Sequence, residues 1–551
     1  MATIQHDHGY GDDGRTDVPG TVQLVDLDGT MHTKHAKGSK SDIVLIPAPS
    51  SDPDDPLNWS PSRKALSTTC MGIYTLMVGI ASAAIYSILE PISAATNLTL
   101  GDLNAGTGYM FLAFGWGCLV WQPLAIQYGK RPVYLFSLLA TMAIQIWAPY
   151  TTSNSQWIAN KVLQGFFGAP VESLCEISVT DIYFQHERGF YIALYGLLLA
   201  GSNFFAPIIA GFIADGQGWE WVLYWCAIFC GIGLIILFFF LEETNYSRVV
   251  QVGTIEAPPS PVSDTVSKEA EKMAREVQDA SSPSPSPEPE RSTKTYIDKL
   301  KLFRTADLRK PTRLLGMVTR PLIFLTFPVI FYSGFCYGSN LVWFNVLNGT
   351  SSLILANPPY DFAASMVGLS YFSPLIGTAI SSFYTGYLGD RILLQLARRN
   401  KGILEPEYRL WLFLPALFIL PAGLILWGVG AAHHVHWFGC VFAMGTIAFT
   451  NAVGLQIAVA YCIDSYKALA SEAIVTVILV RNTMSFAVGY GITPWVTHMG
   501  LQDAFLVAAF VGMAQIATFA VFVRCGKGLR RRSARRYAKY VAQMASAGVV
   551  H

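Results

Sequence analysis

Gln122-Pro-Leu-Ala-Ile-Gln-Tyr-Gly129-Lys130-Arg131-Pro132 is a short polar turn set between two long apolar runs, 105–125 and 132–150. A helix needs roughly 20 apolar residues to cross a bilayer, and both flanking runs come close to that length. The turn holds a glycine and two cations, so it belongs in water while its flanks belong in lipid. Such a unit reads as a helical hairpin through a membrane, with its basic turn on the cytoplasmic side.

Working outward from this hairpin, the same pattern recurs along the chain. Apolar runs occupy 66–88, 105–125, 132–150, 155–178, 189–213 and 220–241, then 320–345, 363–388, 410–430, 436–461, 475–496 and 502–523. The fold class this implies is an all-α membrane protein, with twelve transmembrane helices in two six-helix bundles. Between the sets lies a polar stretch with Ser-Pro repeats from Ser282 to Pro289, of a composition that builds no core. The expected order is a disordered cytosolic tail (1–62), an N-terminal bundle (63–244), a cytosolic linker (245–318), a C-terminal bundle (319–524) and a basic cytosolic tail (525–551).

Composition agrees with this reading. Of 551 residues, 52% are hydrophobic and only 14% charged, whereas soluble domains carry about a quarter charged residues. The net charge of +1 says little, because the charges are segregated. Loop two-to-three holds Lys130 and Arg131, and loop four-to-five holds Arg188. The central segment holds thirteen cations from Arg248 to Arg320. Loop eight-to-nine has Arg391, Arg398, Arg399, Lys401 and Arg409, loop ten-to-eleven has Lys467, and the C-terminal tail has eight more. The six opposite loops have none, which places both ends and the linker in the cytosol. Two sequons, at Asn97 and Asn348, fall in expected outer loops and are glycosylation candidates. No apolar h-region precedes span one, so span one is expected to serve as the targeting signal. The nine cysteines show no ordered spacing and read as small buried hydrophobes.

The halves repeat weakly. Loop eight-to-nine reads Gly386-Tyr-Leu-Gly389-Asp390-Arg391, echoing the first turn, and spans four and ten both end in Asp-x-Tyr (Asp181-Ile-Tyr183, Asp464-Ser-Tyr466). Repeated halves suit a transporter, since two rocking bundles expose one central site alternately.

At these residues the sequence resembles the major facilitator superfamily over about 60–525. In that family the first turn usually reads G-x-L-A-D-R-x-G-R-R. Here Gly129, Lys130 and Arg131 match, while Ile126 and Gln127 replace the Asp-Arg. Asp390 and Arg391 keep it in the second half. Lys161-Val-Leu-Gln164-Gly165 is similar to the family's R-x-x-Q-G. Ala206-Pro207-Ile-Ile-Ala210-Gly211 is similar to its antiporter motif G-P-x-x-G-G, with Pro207 and Gly211 assigned to bending and close packing. The lead-in Asp54-Asp-Pro56-Leu-Asn58-Trp59 looks like fungal drug:proton antiporters. Gly129-Lys-Arg-Pro-Val-Tyr-Leu135 looks closer to the subgroup of fungal polyamine and histidinol transporters. The resemblance implies conformational roles for Gly129, Lys130, Arg131, Pro207, Gly211, Asp390 and Arg391.

Span four carries the chemistry. Lys161, Glu172 and Glu176 lie in one apolar run, where an ionised side chain costs at least ~2.5–3.5 kcal/mol at mid-depth. At 100° per residue, 161, 165, 172 and 176 share one stripe. Lys161 stands roughly 16 Å along the axis from Glu172, too far to pair with it. Glu172 and Glu176 are one turn apart, and two such carboxylates in low dielectric favour holding a proton. A protonatable glutamate on a cavity wall equally suits a cationic substrate. Simpler roles also fit: Glu176 reaching the headgroups, and Lys161 bonding to carbonyls. Asn203, Asn340, Asn345, Asn451, Gln456 and Asn482 add amides inside spans, and Tyr337 and Trp343 stand out among the aromatics. Arg481 is expected to pair with Asp464 or Glu472 in a structural role. His433-His434-x-His436 has no acid or cysteine beside it and reads as solvated rather than as a metal site.

No Walker loop, nucleophile elbow or HExxH motif occurs, so no enzyme, cofactor or nucleic-acid role is expected. The expected partners are a small organic substrate, protons and the lipid bilayer, with a monomeric chain in the plasma membrane. Proton-coupled export of a drug, toxin or secondary metabolite leads, followed by proton-driven uptake of a polyamine or other organic cation. A transport-inactive membrane sensor is the remote alternative.

Overall fold

A computed structural model describes residues 18–23, 52, 54–246, 301–302, 314–400 and 403–546. Within these residues the spans follow the apolar runs. Spans one to three are Pro61–Ser87, Leu100–Tyr128 and Lys130–Tyr150. Span four is split into Asn154–Gly168 and Pro170–Ile182. Pro170 lacks the amide hydrogen that would carry the helix through, so a new first turn starts there. Spans five and six are Gln185–Gln217 and Trp219–Phe240.

In the second half, span seven is Pro328–Leu355. It is longer at its outer end than 320–345, and Leu314–Phe324 is a separate helix bent from it by 78°. Span eight, Ala364–Arg399, continues past the expected end. No proline intervenes between 388 and Asn400, and the backbone passes Gly386 in a π-helical turn, Tyr384–Leu388, so Asp390 and Arg391 lie on a helix and not in a loop. Spans nine and ten are Pro406–Ala432 and Trp437–Ser465. The 48-residue element Ala470–Ala517 divides at Gly500, whose φ of 77° is non-helical, into span eleven and the start of span twelve. The final helix, Phe519–Ser546, carries the basic tail on without a loop.

Among the described residues, nine stretches are long and apolar enough to cross a bilayer, and the bent pair at span seven makes ten. Span four falls short only because it is split, and spans eleven and twelve merge into one stretch; counting these gives twelve. Large apolar side chains such as Phe190, Phe212, Phe383, Phe418 and Phe510 point outward, as a lipid-facing surface requires. Eight of the nine cysteines are buried and unpaired, and Cys525 is exposed.

The two sequons part company. Asn97 is exposed in the turn before span two. Asn348 is only 3% exposed inside span seven and accepts a hydrogen bond from the Tyr371 hydroxyl at 3.1 Å. The longer helix thus removes Asn348 from the outer loop and corrects its expected glycosylation.

Of the tail expected to be disordered over 1–62, most lies outside the described residues, but residues 18–23 and 54–62 are ordered. Val22–Gln23 (β1) pairs antiparallel with Ile403–Leu404 (β2) of loop eight-to-nine. The expected linker, 245–318, falls largely outside the described residues.

At the end opposite the basic loops, here the outer end, the halves close on each other. The Asn104 amide of span two donates to Gly349 O at 3.1 Å and Thr493 Oγ1 at 3.0 Å, both in the other half. Glu90 N–H donates to Ser352 Oγ at 3.2 Å, and Asp215 accepts from Ser365 N–H at 2.9 Å. Spans five and eight touch backbone to backbone. A Cβ on Gly211 would sit 2.3 Å from Ala364 O, and one on Gly368 would sit 2.5 Å from Pro207 O. Small residues permit this approach without any hydrophobic drive between helices.

Candidate substrate and coupling site

Glu172 stands in the first turn after the break in span four. That position aims its carboxylate out of the first half, where it forms an ion pair with Arg481 of span eleven. Arg481 also donates to the Tyr337 hydroxyl of span seven, and its guanidinium lies 4.6 Å from the Tyr337 ring centre. Arg481 does not pair with Asp464 or Glu472, as its neighbourhood in sequence suggests. Asp464 accepts from Arg409 at 2.6 Å and Glu472 from Arg320 at 3.0 Å. Arg481 lies two turns further along the helix than Glu472, which carries it into the boundary between the halves.

Glu176, one turn beyond Glu172, forms no ion pair among the described residues and lies within electrostatic reach of Tyr195 and Tyr337. The two carboxylates therefore differ in environment: Glu172 is neutralised by a cation, and Glu176 is not.

Lys161 is 0% exposed. Its ammonium donates to Gln164 Oε1 at 2.8 Å and lies 4.5 Å from the Trp157 ring centre, with no acid in range among the described residues. Gln164 in turn donates to Ala81 O at 2.9 Å, so the group ties span four to span one. Gly106 makes room for it: a Cβ there would meet Trp157 Nε1 at 2.4 Å.

The amides divide. Asn203 and Asn340 donate to their own helices, at Leu199 O and Cys336 O, both at 2.9 Å. Among the described residues, the buried Asn340 and Asn451 Oδ1 atoms have no partner, nor do the two amide atoms of Asn482. Unsatisfied buried groups of this kind cost about 1–3 kcal/mol each; of the three, Asn482 faces the other half, packed against Gly115 of span two, while Asn340 packs against Gly454 of its own half. Trp343 turns the other way, donating to Gln515 Oε1 of span twelve at 3.0 Å. It is a packing element of the second half.

At the inner end, Lys130 pairs with Asp181 and donates to Ile177 O at 3.2 Å. Glu243 accepts from the backbone N–H groups of Lys130 and Arg131, both at 3.0 Å. Gly129 has φ +117°, and a Cβ there would meet Glu243 at 2.7 Å. Arg131 donates to Phe238 O at 2.7 Å and Lys301 O at 3.2 Å. In the second half, Arg391 bonds to Tyr387 on its own helix and is exposed. Arg391 thus forms no contact like that of Lys130 among the described residues, and Arg409 with Asp464 occupies the place of Lys130 with Asp181.

The sequence profile of the Major Facilitator Superfamily matches residues 71–468. The chain belongs to this superfamily. An uncharacterised MFS-type transporter of Schizosaccharomyces pombe is 28% identical, covering 95% of this chain and 94% of its own. Protein HOL1 of Saccharomyces cerevisiae is 26% identical over 95% of this chain and 97% of its own. MFS transporter cpaT of Aspergillus oryzae is 25% identical over 88% and 90%. Among solved structures, a D-xylose–proton symporter superposes with a TM-score of 0.53 at 12% identity, covering 83% of this chain and 97% of that one. A peptide transporter POT in complex with sulfate gives 0.56 at 12% identity, over 84% and 95%. The chain is thus a multi-pass, non-enzymatic secondary transporter of the major facilitator fold.

Proposed function

We propose that this transporter couples protons to the export of a small organic molecule, and that Glu172 is the group through which the proton acts. The observation carrying this is the Glu172–Arg481 pair across the two halves. Two opposite charges in a low-dielectric interior hold the halves together strongly, and neutralising one of them removes that hold. A proton on Glu172 therefore releases Arg481 and frees the bundles to rock. Tyr337 keeps the guanidinium in place in the meantime.

Export is favoured by the likeness of Ala206-Pro207-Ile-Ile-Ala210-Gly211 to the family's antiporter motif; Pro207 and Gly211 also form part of the outer closure. Glu176 favours a second reading, uptake of a polyamine or related cation, since it forms no ion pair among the described residues and lies within electrostatic reach of Tyr337 in the other half. The two carboxylates divide the labour in either case: Glu172 takes the proton and Glu176 meets a cationic group.

The test is expression in a transporter-depleted yeast strain, with a panel of drugs and labelled polyamines at two pH values. Export predicts lower accumulation of a panel member, abolished by a protonophore. Higher polyamine accumulation would favour uptake, and transport indifferent to the protonophore at clamped potential would refute proton coupling.

A further inference from the structure

Residues 18–23 do not belong to the transport core, yet they are built into the inner face of the second half. Val22 pairs with Leu404 and Gln23 with Ile403. Thr21 Oγ1 donates to Glu405 Oε2 at 3.0 Å, and Arg530 donates to Pro19 O. Gly20 adopts φ +84°, and a Cβ on it would sit 2.5 Å from Asp464 O. Only glycine fits that approach and that backbone conformation.

The receiving surface is preorganised and charged. Arg530 of the final helix is 0% exposed and holds Glu405 and Glu407, both at 2.7 Å, while Lys527 donates to Glu405 at 2.6 Å. Burial pushes the Glu405 carboxyl up, but hydrogen bonds from Lys527, Arg530 and Thr21 outweigh it and hold it below the usual carboxylate range. The arrangement inverts the first half, where the acid Glu243 follows span six and the cations open span three. Here the cation follows span twelve and the acids open span nine. The Arg530 Nη1 group meets residues 18–23 in place of a further acid. A cavity of about 70 Å³ remains beside Gly20, between Leu404, Arg409, Asp464 and Lys467.

We propose that this face of the second half is a binding site for an extended peptide, and that residues 18–23 of the chain are its resident ligand. The recognition chemistry is strand addition at Ile403–Leu404, a glycine against the end of span ten, and carbonyl and hydroxyl capture by Arg530 and Glu405. Residues 24–51 join the docked segment to the start of span one, in the other half. The halves are thus connected on the inner side twice, through the central segment and through the docked tail. Covalent attachment supplies an effective concentration of about millimolar, so a weak site stays filled by its own tail. This inference does not depend on proton coupling or on the direction of transport.

The test uses the full chain in detergent, with a fluorescent peptide of the sequence Val18–Gln23. The Gly20→Val chain displaces its own tail and exposes the site, so it binds the peptide at least about tenfold more tightly in apparent terms than the parent chain. In parallel, Val22→Cys with Leu404→Cys, with Cys525→Ser present, forms a disulfide under mild oxidation. Adding Gly20→Val to that pair lowers the yield by about tenfold. Equal peptide binding by the two chains, no saturable binding by either, or crosslinking indifferent to Gly20→Val would each overturn the proposal.

Discussion

The carboxylate of Glu172 and the guanidinium of Arg481 meet across the boundary between the two halves, with the Tyr337 hydroxyl on the same guanidinium. Removing one partner of a buried pair costs about 3–5 kcal/mol, because the other is left charged and alone. Arg481→Gln is therefore expected to lower transport by more than tenfold and to lower thermal stability. The double variant Glu172→Gln with Arg481→Gln should recover much of the stability without recovering proton dependence. A double-mutant cycle in thermal unfolding reads the coupling directly, and additive losses would show that the two side chains do not interact.

Asn104 donates both of its amide hydrogens to the other half at the outer end. Each such bond is worth about 0.5–1.5 kcal/mol net, so losing both in Asn104→Ala should shift the outer-closed population by about five- to a hundredfold. Labelling of Gly101→Cys, whose side chain would lie in ordinary contact with Thr493, by a membrane-impermeant maleimide should speed up accordingly. An unchanged labelling rate would remove Asn104 from the outer closure.

Gly211→Val places a side chain where Ala364 O already sits. The outer ends should then fail to close, with transport lost while membrane abundance is kept. Gly201→Ala serves as the control, because its nearest contact is an ordinary 3.9 Å to Phe205. Equal transport by both variants would mean that spans five and eight separate freely.

Much of this was legible in the residues and some was not. Lys161, Glu172 and Glu176 announced themselves as charges in apolar runs, and the Gly129-Lys130-Arg131 turn fixed the hairpin. Arg481 was visible in the same way, but its partner was not. Sequence distance favours Glu472, whereas packing of span eleven against spans two and four brings Glu172. Asn104 stands just ahead of the apolar run 105–125 with nothing to mark it, and only the closed outer ends reveal its two partners. Asn348 was misplaced because span seven runs nearly three turns beyond the end of its most apolar stretch. Residues 18–23 gave no periodic signal, since a two-residue strand is too short for alternation to show and its stability comes from Arg530, far away in the chain.

Lys161 is a buried ammonium held by one amide oxygen and an indole face. Lys161→Met keeps the volume and removes a charge whose burial is costly, so the variant should be at least as stable as the parent. If the charge is kept for function, transport should fall by about tenfold or more. Normal transport by a more stable Lys161→Met would confine this residue to packing.

The central claim is that a proton on Glu172 releases the two halves. Its most direct test is a distance measurement that needs no substrate. Spin labels at Asn154→Cys and His433→Cys, exposed at the outer ends of spans four and nine, report the separation by pulsed electron paramagnetic resonance. The pair exists only while Glu172 is ionised, so its hold is present at high pH and lost as pH falls. The parent chain should therefore shift toward the longer, outer-open distance on acidification, and Glu172→Gln should show that distance at every pH. A pH-driven shift of the same size in Glu172→Gln would contradict the account.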